Sequence, residues 1–310
     1  MQDYYGNGKL LLSGEYYVLD GALALALPTS KGQRLSVTYF PSDHKVLHWK
    51  SYDDKGNLWF EAKFDVENFE CLDRFVSQKS MLLQKILQKA RKLASNFLKG
   101  REYVLVETFL EFPIVWGLGS SSTLIHNIAT WAGISPFELL FTTVGGSGYD
   151  VACAQANSPI LYQKTGNMPT TQVVEFDPPF KANLYFIYLG KKQSSQEGIE
   201  YYRSLIHQQK ETLVLQLTEI TQKMVKTQNL DEFDVLLRQH EELISESLKM
   251  ERVKNLYFSD YWGEVKSLGA WGGDFILATS KKSCEETKTY FKEKGFEVVI
   301  PYNEMIKSEA

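Results

Sequence analysis

Trp116-Gly117-Leu118-Gly119-Ser120-Ser121-Ser122-Thr123 is a glycine and hydroxyl cluster set between two apolar segments of different character. Residues 103–110, upstream, are rich in β-branched and aromatic side chains and read as a strand. Residues 123–132, downstream, read as a helix, so the octamer predicts a strand-to-helix turn. Its two glycines admit backbone angles closed to other residues and leave no Cβ between chain and ligand. At a helix N-terminus the unpaired N–H groups and the macrodipole both favour an anion. The same residues also fit an ordinary glycine turn capped by serine, and the octamer alone does not separate the two readings. No Gly-Lys-Ser/Thr follows the glycines, so a P-loop is excluded, and a dinucleotide-binding fingerprint is absent as well.

Further along, Ser135-Pro136-Phe137-Glu138 carries the cap, first-turn proline and capping-box partner of a helix start. The chain then reaches Gly145-Gly146-Ser147-Gly148-Tyr149-Asp150-Val151-Ala152, a second glycine turn that ends in an acidic residue. Asp150 is the leading catalytic candidate on residue chemistry. An ionised carboxylate can orient a hydroxyl and take its proton as it attacks a phosphoryl group. Asp150 equally fits the N-cap of a helix beginning at Val151.

Towards the N-terminus, residues 4–28 are short apolar runs broken by glycines, which predicts paired strands with a turn near Asp20-Gly21. Lys9 and Glu15 stand out in this apolar setting. A lysine beside a glycine-rich turn suits a phosphate, a carboxylate beside Gly14 suits a hydroxyl-bearing substrate, and the two also suit a salt bridge with each other. Further strands are predicted at 34–40, 46–49 and 58–64, then one or two amphipathic helices over 71–98, closed by Gly100. His44 and His48 fall in strand-like sequence and are given no metal role.

The second half predicts strands at 160–162, 171–176, 183–189, 275–279 and 296–300. Helices are predicted over 199–250, with an interruption near Asn229, and over 284–291; the helix-then-strand ending indicates an α+β domain. Lys191 and Lys192 suit either a phosphorylated acceptor or a solvated loop. His207 and His240 are too isolated for a metal site. Gly269-Ala270-Trp271-Gly272-Gly273-Asp274 is a further glycine motif before the 275–279 strand.

With 310 residues, 44% of them hydrophobic, the chain is long enough for two domains, predicted as 1–157 and 158–310. Thirty-eight acidic against 34 basic residues, a net charge of -4, argue against nucleic acid as a partner. Cys71, Cys153 and Cys284 are too widely separated for a disulfide framework or a metal-ligand spacing and suit a reducing compartment. Asp3, Lys9 and Glu15 interrupt the N-terminal apolar run, so neither secretion nor membrane insertion is expected, and cytoplasm is. Assembly is left open.

Taken together, Gly8-Lys9-Leu10-Leu11-Leu12-Ser13-Gly14-Glu15-Tyr16, Gly117-Leu118-Gly119-Ser120-Ser121, Gly146-Ser147-Gly148-Tyr149-Asp150-Val151-Ala152 and Gly269-Ala270-Trp271-Gly272-Gly273-Asp274 follow one another in a known order. The chain resembles the GHMP kinases, the superfamily of galactokinases, homoserine kinases, mevalonate kinases and phosphomevalonate kinases, over most of its length. Among these it looks most like the phosphomevalonate and mevalonate kinases. The resemblance implies an α+β fold: an N-terminal domain related to ribosomal protein S5 domain 2 and a ferredoxin-like C-terminal domain, with ATP and the acceptor meeting at their junction.

Carried over position by position, the resemblance implies that Gly117, Leu118, Gly119, Ser120, Ser121 and Ser122 hold ATP, with Ser120 or Ser121 helping to ligate Mg2+. Asp150 would activate the acceptor and Lys9 would stabilise developing charge. Glu15, Ser147, Gly272, Gly273 and Asp274 would belong to the acceptor side. The partner implied is a small-molecule phosphate acceptor: phosphomevalonate, then mevalonate, then a sugar, with a catalytically inactive nucleotide-binding regulator as the alternative of another class. Trp116 and Trp271 depart from the family pattern, being bulky where smaller residues are usual.

Overall fold

The computed structural model describes residues 1–166, 168–205 and 210–307. The chain opens with β1 (Gln2–Leu11), a 3-10 turn (Tyr17–Asp20) and β2 (Ala24–Phe40), followed by β3 (Val46–Tyr52), β4 (Leu58–Asp65), α1 (Gln78–Leu93) and β5 (Tyr103–Leu110). Then come α2 (Ser120–Ala132), α3 (Pro136–Thr143), α4 (Tyr149–Gln155), β6 (Ile160–Thr165), β7 (Met168–Val173) and β8 (Leu184–Tyr188). The remainder is α5 (Ser195–Ser204), α6 (Lys210–Lys226), α7 (Leu230–Leu248), α8 (Val253–Tyr257), β9 (Val265–Ser267), β10 (Phe275–Thr279), α9 (Cys284–Glu293), β11 (Val299–Pro301) and α10 (Tyr302–Met305). No helix among the described residues is long and apolar enough to cross a membrane.

Two compact units result. The first comprises Met1–Gly8, Lys31–Ile114 and Leu118–Gln155; the second comprises Lys9–Ser30, Val115–Gly117 and Ala156–Ala310. In the first, strands run in the order β4-β3-β5-β2, all pairs antiparallel except β3 with β5. Alternate residues of β3 and β5 point inward, so Leu47, Trp49, Val104 and Val106 meet Ile86 and Leu87 of α1 and Ile125 and Ile128 of α2 in one core. Each such buried side chain contributes roughly 1.5–3 kcal/mol. That packing, more than propensity, holds α2, whose first turn is three serines and a threonine.

In the second unit Ala24, Leu25 and Ala26 of β2 pair with Tyr162, Leu161 and Ile160 of β6, and β6 pairs with β7. A separate sheet runs β11-β8-β10-β9, antiparallel throughout. Read along the chain, β8, the α6–α7 pair, β9, β10, α9 and β11 make a β-α-β-β-α-β unit, the ferredoxin-like arrangement expected for the C-terminal part. The interruption near Asn229 is the start of α7, where the Asn229 side chain accepts the Asp231 and Glu232 N–H groups.

Several local expectations are corrected. The turn expected near Asp20-Gly21 starts earlier, as a 3-10 turn over Tyr17–Asp20; Tyr17 and Val18, expected in a strand, are buried by this tight turn, entered through Tyr16 at φ 58°. Residues 24–28 and 34–40 are one 17-residue strand, β2, with the polar stretch between them kept extended. The 71–98 region yields a single helix, begun by the Ser77 cap and finished at Leu93, so Gly100 does not end it. His207 lies outside the described residues.

Candidate active site

In the first unit the glycine cluster does open a helix. Gly119, at φ 90°, is the N-cap of α2, and no side chain caps it. Its carbonyl accepts the N–H groups of both Ser122 and Thr123 at 3.0 Å. The N–H groups of Ser120 and Ser121 have no acceptor among the described residues, and Ser121 is exposed. The reading of a serine-capped turn is thereby overturned, because none of the three hydroxyls occupies the capping position. What remains is a short array of uncommitted donors at the positive end of a helix, the chemistry an anion requires.

Asp150 stands in the first turn of α4, which begins at Tyr149, so it is not the cap of a helix starting at Val151. It is half-buried, whereas Tyr149, Val151, Ala152 and Cys153 are buried. Val151 enters the same core as Ile125 and Ile128, which packs α4 against α2 and sets the Asp150 position. Ser147 is buried one turn earlier. Glu138 lies in the first turn of α3, where its N–H donates to Ser135 Oγ.

In the second unit Asp274 is the organising residue. It adopts φ 54°, its N–H donates to the Lys191 carbonyl (2.7 Å), and its Oδ1 accepts the Gln193 N–H (3.1 Å). A β-carbon on Gly117, itself at φ 67°, would stand only 2.3 Å from Asp274 Oδ2. Burial pushes the Asp274 carboxyl up, while the Gln193 N–H and the Lys9 and Lys192 charges pull it down. Gly273 lies against the Lys191 carbonyl, and the β-carbon position of Gly272 faces only Met250. Lys9, on β1, is almost wholly buried.

Glu15 is found elsewhere than on an open acceptor surface. It has no exposure; Lys266 Nζ donates to its Oε1, and His240 Nε2 lies 3.3 Å from its Oε2. A direct contact between Glu15 and an acceptor is not what this geometry provides, because the carboxylate is enclosed and occupied by a lysine of β9. Trp116 stacks edge-on against Phe275 (centroids 5.5 Å) and lies near Tyr188, whose hydroxyl donates to the Val115 carbonyl. Trp271 is a core residue beside Tyr17, Tyr202 and Leu248, its N–H donating to Tyr16 Oη at 3.2 Å. Lys266, His240, Glu241 and Gln193 were not singled out as site residues. Only Lys266 left a trace in the sequence, as one cation inside the apolar Val265-Lys266-Ser267-Leu268.

No family model and no curated protein matches the chain. Solved structures do. A mevalonate kinase superposes with a TM-score of 0.72 at 13% identity, covering 99% of this chain and 100% of its own. The Streptococcus pneumoniae phosphomevalonate kinase, in complex with phosphomevalonate and AMPPNP, gives 0.71 at 17% identity, covering 96% and 98%. The chain has the GHMP kinase fold. The Lactococcus lactis galactokinase complexed with galactose extends the likeness to a sugar-binding GHMP structure, with a TM-score of 0.64, 13% identity and coverage of 94% and 88%. Since acceptors as different as phosphomevalonate and galactose occur on this GHMP fold, the acceptor must be argued from side chains.

Proposed function

We propose that this chain is an ATP-dependent small-molecule kinase of the mevalonate pathway, passing the γ-phosphoryl group of ATP to the terminal phosphate of phosphomevalonate. The observation that carries the reading is the α2 N-terminus, where the Ser120 and Ser121 N–H groups are uncommitted behind a Gly119 cap. These donors, with Gly117, Leu118 and Ser122 shaping the turn, suit the polyphosphate of ATP. The Ser120 and Ser121 hydroxyls are hard oxygen ligands that fit Mg2+ alongside phosphate oxygens, and no group of three or more His, Cys, Asp or Glu among the described residues offers a different metal site. When bound, magnesium would neutralise charge on the phosphates.

Asp150 orients the acceptor and takes its proton where the acceptor is a hydroxyl. Lys9 supplies positive charge to the migrating group. The bond from the γ-phosphorus to the bridging oxygen of ADP breaks as the bond to the acceptor oxygen forms, with ADP as leaving group. Phosphomevalonate is favoured over mevalonate because the Lys9 and Lys192 charges both act on Asp274, a cationic setting that suits an acceptor carrying a phosphate. The test is magnesium-dependent ADP release with phosphomevalonate, mevalonate and a set of sugars. Stimulation by phosphomevalonate alone is expected; ATP binding without stimulation by any acceptor would reject the kinase reading in favour of a nucleotide-binding regulator.

A further inference from the structure

Four ionisable side chains with no exposure meet in the second unit from three separate segments: Glu15 after β1, His240 and Glu241 on α7, and Lys266 on β9. Lys266 Nζ donates to Glu15 Oε1 and to the Ser267 carbonyl (2.9 Å) and lies 3.7 Å from Glu241 Oε1. Glu241 Oε1 accepts the Ser267 N–H at 3.1 Å, and His240 Nε2 accepts the Gly14 N–H at 3.0 Å. Against the larger upward push of burial, the Gly269 backbone lies close enough to Glu15 to pull its carboxyl down. The set therefore grips the backbone at Gly14 and Ser267 and lies beside Gly269, the edges of two glycine motifs that lie some 250 residues apart in sequence.

A buried ion pair is weak support for stability, since apolar residues of similar volume serve that purpose as well or better. What the apolar alternative lacks is directed hydrogen bonding to those backbone groups. We propose that Lys266 is a positioning residue for the reaction proposed above: through Glu15 it locks the Gly14 turn to the Gly269 turn. It thereby sets the 269–274 loop, whose Asp274 carboxylate bears on Gly117. This inference rests on the kinase reading for its kinetic consequence, but the lock itself is a structural property that can be measured without turnover.

The experiment compares wild type with the paired variant Glu15→Leu/Lys266→Met, which removes both charges together, and with the milder Glu15→Gln. In the latter, Glu241, already near Lys266, can take over the negative charge and keep the chain folded. Amide hydrogen exchange is expected to lose at least about tenfold protection at residues 269–274 in the paired variant while α6 and α7 keep theirs. The KM for ATP is expected to rise on the order of 10- to 100-fold in the paired variant and less in Glu15→Gln, with a smaller change in kcat. Wild-type exchange at 269–274 in the folded paired variant overturns the lock. A fall in melting temperature with unchanged KM and kcat identifies a purely structural pair and overturns the positioning role. If the wild-type protein turns over no acceptor, the kinase reading fails, while the exchange measurement still decides the lock.

Discussion

Asp274 Oδ2 fills the space that a side chain on Gly117 would need, 2.3 Å from the position of its β-carbon. Both residues have left-handed backbone angles, φ 67° for Gly117 and φ 54° for Asp274, an angle a glycine adopts freely and an aspartate only at a cost. Gly117→Ala is therefore expected to lower stability by about 2–3 kcal/mol, the sum of a backbone cost of about 1 kcal/mol and an overpacking cost. In an Asp274→Gly background, where the carboxylate is gone, the same substitution should cost only the backbone share. Thermal melts of the four proteins of this cycle decide it, and equal costs in both backgrounds would show that the contact carries no energy.

Asp150→Asn distinguishes the acceptor class as well as the role. A terminal phosphate is largely ionised at neutral pH, with a second pKa near about 6, so it has little need of a base; a hydroxyl has every need. With phosphomevalonate as the true acceptor, kcat is expected to fall by about 10²-fold or less, through lost orientation. With a hydroxyl acceptor the loss should be about 10³- to 10⁴-fold. ATP affinity should change little in either case. Unaltered kcat with the best acceptor would remove Asp150 from the reaction.

The elements that were legible in the sequence are those fixed by local chemistry. Gly119 before three hydroxyls reads as a helix opening, Asn229 as a cap, and the helix-then-strand ending as an α+β domain, because each depends on neighbours a few residues away. A turn at Asp20-Gly21 was legible, but not that it takes in Tyr17 and Val18, since a buried apolar run looks the same whether a strand or a tight turn buries it. Glu15 was visible as an odd carboxylate in apolar surroundings, suited to an acceptor or to a salt bridge with Lys9, six residues off, yet its partner is Lys266, 251 residues away. No spacing rule reaches that far. The roles of Trp116 and Trp271 were likewise closed to sequence, as one stacks on Phe275 and the other fills a core.

The α2 turn makes its own prediction, independent of any acceptor. If the Ser120 and Ser121 N–H groups receive the ATP phosphates, saturating Mg-ATP should raise the melting temperature, and a hundredfold excess over Kd corresponds to about 2.7 kcal/mol. Gly119→Ala forces a β-carbon onto a residue at φ 90° and should turn those donors. ATP is then expected to bind about tenfold more weakly, whereas a substitution at exposed Phe75, in the same unit, should leave binding unchanged. Equal nucleotide stabilisation of wild type and Gly119→Ala would place the phosphates elsewhere.

Glu241 makes stability depend on pH in a direction opposite to most carboxylates. Its carboxyl is pushed up to about 8, first by burial and then by the Glu15 charge, against the pull of Lys266, Arg252 and the Ser267 N–H. The folded chain thus keeps a proton that the unfolded chain gives up near pH 4.5. The stability tied to that proton is complete below about pH 4.5 and is lost as pH rises to about 8, at most about 1.4 kcal/mol per pH unit. Its neighbour His240 acts with the other sign: burial, helped by Lys266, holds the imidazole well below 6.5, so stability is lost as pH falls below that value. Between pH 4.5 and 6.5 the two contributions oppose each other in wild type. Glu241→Gln removes only the first and leaves the Lys266–Glu15 pair balanced. Its stability relative to wild type should therefore climb from about pH 5 to about pH 8 and level off above, as read from urea midpoints at several pH values. A difference that stays constant over that range would mean that Glu241 is already ionised in the folded chain, held by Lys266 and Arg252 against the cost of burial.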